Sequence, residues 1–162
     1  MHKNPLEVQH LNGSDWKTRP FEKVILPLGS LENHGWHLPF GTDALTAYMI
    51  GLDIAARMPD TVVLPPVNYG MSEHYKNFSF TASLQFDTET AIIRDILESV
   101  YREGIRKVFI MNGHDGNIAP IEVAARTAKG AHSDFKIVSL DAWWKMVGDL
   151  VPPDFFEVWN GL

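Results

Sequence analysis

Short apolar runs alternate along this chain with helix-period segments, and that alternation limits the folds open to it more than any other feature. Val24-Ile25-Leu26-Pro27-Leu28 is continuously apolar, the mark of a strand covered on both faces. A helix is expected from about Asp43 to Met58, stopped by Pro59, and then a second strand, Thr61 to Leu64, ended by Pro65-Pro66. Residues 67–87 show no clean period and read as a long loop with some extended structure. Ordered loops of that length are often functional. Asp87 is expected to cap the next helix, whose Ile92, Ile93, Ile96, Leu97 and Val100 form one apolar face, with Gly104 at its C-terminal cap. A third strand (Val108 to Met111), a third helix (Asn117 to Lys129, closed by Gly130) and a fourth strand (Phe135 to Leu140) follow.

Strands joined through helices imply right-handed crossovers and a parallel sheet between helical layers, an α/β fold. The 162 residues are one domain's worth of sequence, without repeats or low-complexity tracts. The tail from Trp143 carries Trp144, Phe155, Phe156 and Trp159, so much apolar surface that it is expected to pack on this domain or on another subunit.

Composition narrows the function classes. A net charge of -6 with scattered Lys and Arg argues against a nucleic-acid surface. No apolar run approaches the ~20 residues that cross a bilayer, and no apolar stretch follows the first residues as in a secretory signal. The absence of cysteine removes disulfides, thiolate metal sites and a cysteine nucleophile, which suits a reducing cytoplasm.

Two polar stretches stand out: Gly29 to Asp43 (GSLENHGWHLPFGTD) and Asn112 to Asn117 (NGHDGN). Each follows an expected buried strand and leads into a helix, so both belong at the carboxyl edge of the sheet, where open α/β folds bind ligands. Glu32 and His34 are two apart and share a face of an extended segment. Asp43 sits at a helix N-terminus, where a carboxylate is favoured and could also serve merely as a cap. His114 comes from a neighbouring strand end. Two carboxylates with two imidazoles suit Zn2+, Mn2+ or Fe2+, and a paired site both activates water and polarises a carbonyl. His37, beside Trp36 and Pro39, is read as structural and left out of the set.

The first stretch closely resembles the creatininase signature, Gly-Ser-x-Glu-x-His-Gly-x-His-Leu-Pro-x-Gly-Thr-Asp. The second is similar to that family's Asn-Gly-His-Gly-Gly-Asn turn, with Asp115 in place of one glycine. Pro65-Pro66-Val67-Asn68-Tyr69-Gly70 and Ser72-Glu73-His74 resemble its middle loop. The resemblance implies a three-layer α/β/α sandwich with a mainly parallel sheet, here incomplete at the C-terminus. The chain is then a single creatininase-like domain over residues 1–162, the N-terminal portion of the usual one. It implies two divalent ions per site and hydrolysis of a carbon–nitrogen bond in a small, often cyclic, amide by a metal-bound hydroxide. Glu32 and His34 would each hold one ion, Asp43 would bridge the two, and His114 would complete one coordination sphere. Glu73, His74 and Tyr75 are expected to contact substrate, with a subunit interface as the alternative for that loop. A homo-oligomer, commonly a hexamer, is implied as well.

One departure bears on activity. Some family members carry a glutamate ligand where this chain has Gly116, and others take their last carboxylate from a later segment that does not occur before Leu162. Asp115 and Glu157 are the substitutes the sequence offers. The competing expectations are an incomplete or non-catalytic subunit that keeps the fold and part of the site, and a phosphate-ester hydrolase, for which neither loop supplies an Arg or Lys.

Overall fold

Four parallel strands form the centre of the molecule, in the order β2-β1-β3-β4. They are β1 (Lys23–Leu28), β2 (Thr61–Val63), β3 (Lys107–Asn112) and β4 (Lys136–Leu140). The helices are α1 (Gly13–Thr18), α2 (Thr42–Arg57), α3 (Phe86–Arg102), α4 (Ile118–Ala131) and α5 (Trp143–Val147). The structure, a computed structural model, describes residues 6–19, 21–147 and 150.

Alternation along β1 builds the layers. Val24, Leu26 and Leu28 face α3 and α4 and join Ile93, Leu97, Ile121, Ala124 and Ala128 in the larger core. Ile25 points the other way, to a smaller core with Val63, Met111 and the α2 residues Ala47 and Ala55. Helices therefore cover both faces, as a parallel sheet requires. The chain leaves β1 through α2 to β2 on one side, then returns to place β3 on the other side of β1, against α4. That reversal makes the carboxyl ends of β1 and β3 a topological switch point, the crevice where such sheets bind ligands.

The expected strands hold to within a residue or two at each end, and two details differ. The N-cap position of α3 is Gln85, without a side-chain cap, so Asp87 lies inside the first turn rather than capping it. Helix α4 runs through Gly130 to Ala131, because a glycine with open space around it does not by itself end a helix. Residues 67–85 form the expected long loop with some extended structure, in the bridges Leu28↔Val67 and Leu31↔Ala82, and add a 3-10 turn at Glu73–Tyr75. Of the tail aromatics, Trp143 packs against the smaller core and its Nε1 donates to Asn112 O at 3.0 Å. Phe155, Phe156 and Trp159 lie outside the described residues.

Candidate metal centre at the sheet's carboxyl edge

Backbone packing sets the site before any side chain does. A Cβ at Gly29 would lie 2.2 Å from Ala44 N, and one at Gly113 would lie 2.3 Å from Asp43 O. These two glycines let the first turn of α2 settle onto the ends of β1 and β3 together, carrying Asp43 between the two polar stretches. Asn117, fully buried, ties the same region down: its Nδ2 donates to Gly29 O at 3.0 Å, and its Oδ1 accepts from Met71 N at 3.2 Å. Asn112 spans the turn, accepting from His114 N at 3.1 Å and donating to His114 O at 2.7 Å.

Within this frame Glu32, His34, Asp43 and His114 converge. The two carboxylates and His114 are buried and His34 is half-buried. Ligand atoms of Glu32, Asp43 and His114 lie within 4.8 Å of one another. His34 Nε2 reaches Asp43 Oδ1 at 2.9 Å and Glu32 Oε1 at 3.8 Å. His114 Nδ1 stands 3.1 Å from Asp43 Oδ2 and 3.4 Å from Glu32 Oε2. Asp43 thus turns one oxygen to each imidazole and does not cap its helix, whose N-cap is Gly41.

The donor chemistry fits a cation. His114 Nε2 lies 3.2 Å from Met71 O, and a carbonyl only accepts, so this contact places a proton on Nε2. In the neutral ring Nδ1 is then a lone pair, aimed at two carboxylates. Asp43 Oδ2 and Glu32 Oε2 are buried and accept no hydrogen bond. Three lone-pair atoms facing one point is unfavourable unless something positive lies between them.

With protons as the only positive charge, the titration behaviour reflects that conflict. Burial pulls His114 down, but Asp43 and Glu32 outweigh it and hold the ring up at about 10. Asp43 is raised by burial, yet the two imidazoles bring it below the usual carboxylate range. His34 is raised, chiefly by its hydrogen bond to Asp43.

The surrounding residues sort clearly. Ser72 Oγ lies 3.3 Å from His114 Nε2 and forms a short hydrogen bond with Ser30. Both serines are fully buried, so a Ser–His–Asp reading fails for lack of access and Ser72 orients the ring instead. His74 is exposed and its ring lies parallel to that of His114, centroids 5.8 Å apart. Tyr75 is half-buried; burial and then the charges of Glu32 and Asp43 raise its hydroxyl. Glu73 is exposed and pairs with Lys76, and His37 is exposed. Asp115 is exposed and is not among the groups that converge here, while Gly116 packs against Met71 O and His114; Glu157 lies outside the described residues. The roles of Ser30, Ser72, Asn112 and Asn117 were not assigned from sequence, although all four fall within the polar stretches or the middle loop.

Residues 10–158 match the family model described as creatininase, creatinine amidohydrolase. The chain is 33% identical over 130 residues to the creatinine amidohydrolase of Pseudomonas putida, covering 74% of this chain and 50% of that protein. It is 31% identical over 133 residues to the mycofactocin precursor peptide peptidase of Mycobacterium ulcerans (strain Agy99), covering 77% and 50%. The chain therefore spans about half the length of these curated relatives. Solved creatininases, in a manganese form and a mutant zinc–zinc form, superpose with a TM-score of 0.82 at 27 and 28% identity. They cover 96 and 95% of this chain, which spans 66% of theirs. Matched over most of its length by family model and three-dimensional likeness alike, the chain belongs to the creatininase family.

Proposed function

We propose that this chain carries the metal centre of a metal-dependent amidohydrolase that cleaves a carbon–nitrogen bond in a small, often cyclic, amide. One observation carries the reading: two buried carboxylates and two imidazoles converge, with Glu32 Oε2 and Asp43 Oδ2 left without hydrogen-bond partners. Glu32, His34, Asp43 and His114 are the ligands in this reading. Asp43 divides its oxygens between the two histidines, the disposition expected of a bridge between two ions. When bound, divalent ions such as Zn2+ or Mn2+ would polarise the amide carbonyl and make a water nucleophilic at neutral pH. The chain's own residues then have definite tasks. Met71 O and Ser72 fix the orientation of His114 through its Nε2, and Asn112 and Asn117 hold the turn that carries it. His74, whose ring lies parallel to that of His114, Tyr75 beside it and Glu73 in the same 3-10 turn are the candidate substrate contacts. Assembly as a homo-oligomer belongs to the same reading.

The test is chelation on a panel of cyclic ureas, lactams and formamides. A substrate should be hydrolysed, hydrolysis should stop after prolonged treatment with a strong chelator, and Mn2+ or Zn2+ should restore it. Turnover indifferent to the chelator would overturn the mechanism. A second reading, a subunit that keeps the centre without turnover, is favoured by the exposed Asp115 and the side-chain-free Gly116. Metal binding without hydrolysis of any panel member would select it.

A further inference from the structure

Helix α3 begins under the loop that backs His114. Leu84 N donates to Gly70 O at 2.8 Å, and Ser72 N donates to Ser83 Oγ at 2.9 Å. Four residues into this helix stands Glu89, 0% exposed, on the same face as Ile93 and Leu97, which are also 0% exposed. The spacing i, i+4, i+8 is that of an apolar stripe, and a carboxyl interrupts it. Neither oxygen of Glu89 has a hydrogen-bond partner. Burial pushes the group up to about 7, opposed first by the charge of His114.

A buried carboxyl without a hydrogen-bond partner is costly, and its neighbours on the stripe, Ile93 and Leu97, are apolar and supply none. The position gives it a purpose. Met71 presents its carbonyl to His114 Nε2, and the 70–72 loop that carries Met71 is hydrogen-bonded to the residues that lead into α3. The helix bearing Glu89 therefore backs the Nε2 side of the ring, while the ligand oxygens lie at Nδ1. On the metal-centre reading above, Glu32 and Asp43, joined by Glu89 whenever it is ionised, bring up to three negative charges against imidazoles that are neutral as ligands. Divalent cations are the charge that would balance them. We propose that Glu89 is a positioning residue of the metal centre: from behind His114 its carboxylate strengthens cation retention at the Nδ1 side without touching the ion.

The experiment measures two quantities on purified protein: Zn2+ affinity, by competition with a chromophoric chelator, and the melting midpoint of the metal-free form. Glu89→Gln and Glu89→Leu should weaken Zn2+ binding about tenfold, the lower end of what partners of ligating histidines contribute, while the metal-free midpoint stays level or rises. Glu89→Asp, which keeps the charge, should lose less than about threefold on the same scale. A structural role alone would move the midpoint down and leave affinity unchanged, or would make the Asp variant as weak as the Gln variant. Either result overturns the proposal. If the Leu variant does not fold, the Gln and Asp pair decides. Wild-type protein that binds no Zn2+ would overturn the metal-centre reading and this role with it. Tight wild-type binding matched by Glu89→Gln would overturn the role of Glu89 alone.

Discussion

Strand β3 has a chargeable pair near each end, and both pairs are 3.1 Å apart. At its start Lys107 Nζ meets Glu22 Oε2, with side chains 49% and 59% exposed. Just past its end His114 Nδ1 meets Asp43 Oδ2, with side chains 4% and 10% exposed. Distance is the same and physics is not. The Glu22–Lys107 pair keeps its water and is screened by salt, so its worth is small. The Asp43–His114 pair has lost its water and keeps an oxygen without a hydrogen bond, so it is tolerable only with compensating charge. Buried polar residues gather at the carboxyl edge (Ser30, Glu32, Asp43, Ser72, Asn112, His114 and Asn117), the end where the sheet order reverses. A fold of this class concentrates its costly groups where a ligand can offset them.

The largest effect should come from removing the residue shared by both imidazoles. Asp43→Ala takes away a carboxylate facing both His34 and His114, and it should lose at least one ion on purification, a drop in affinity of more than about 100-fold. His37→Ala, at an exposed position of the same loop, should retain wild-type metal content. Elemental analysis of the two folded variants decides the point. Equal, unchanged content would remove Asp43 from the centre and erase the contrast between the two ends of β3.

What the sequence made legible follows from which signals are local. Strands β1, β2 and β3 could be read because each holds a continuous apolar run with Pro or Gly beside it, β4 is a mixed run, and all ends fall within two residues of those expected. The pairing of Glu32 with His34 followed from period two. Helix α1 was missed because its six residues have no apolar period, although its capping box, Asn12 with Asp15, is a local signal that marks it. Asp43 was open to two readings, cap or ligand, since a helix N-terminus favours a carboxylate either way; only the approach of His34 and His114 separates them. Glu89 could have been noticed as an acid in the stripe of Ile93 and Leu97. Its burial and its missing partners depend on how the 70–72 loop lies over α3, which no spacing rule contains.

A smaller, steric effect is expected at Gly116. A Cβ there would sit 2.1 Å from Met71 O and 2.6 Å from His114 Nε2, so neither neighbour can keep its place. Gly116→Ala should cost about 2–3 kcal/mol of stability and weaken metal binding less than Asp43→Ala does. Gly130→Ala meets nothing within 4 Å inside α4 and should instead stabilise, by up to about 1 kcal/mol. Denaturant titration of both variants checks the opposite signs. Loss of stability in both would show that the tightness at Gly116 is not special to the carboxyl edge.

The smallest effect belongs to the exposed end of β3. Glu22 accepts from Lys107 Nζ in solvent, and its carboxyl lies below the usual range because of Lys107 first and Lys23 second. Both partners are long side chains with water on most sides, so what the pair gains in attraction is largely returned in lost rotamer freedom and screening. Glu22→Gln removes the charge while keeping the shape. The melting midpoint should change by no more than about 2 °C, and raising the salt should shrink the difference further. Metal content should not change at all, because the pair lies a full strand away from the centre. A large fall in stability would mean that the amino edge also depends on its charges. A fall in metal content would mean that strain at the start of β3 reaches His114 through the strand, and the two ends could no longer be treated as independent.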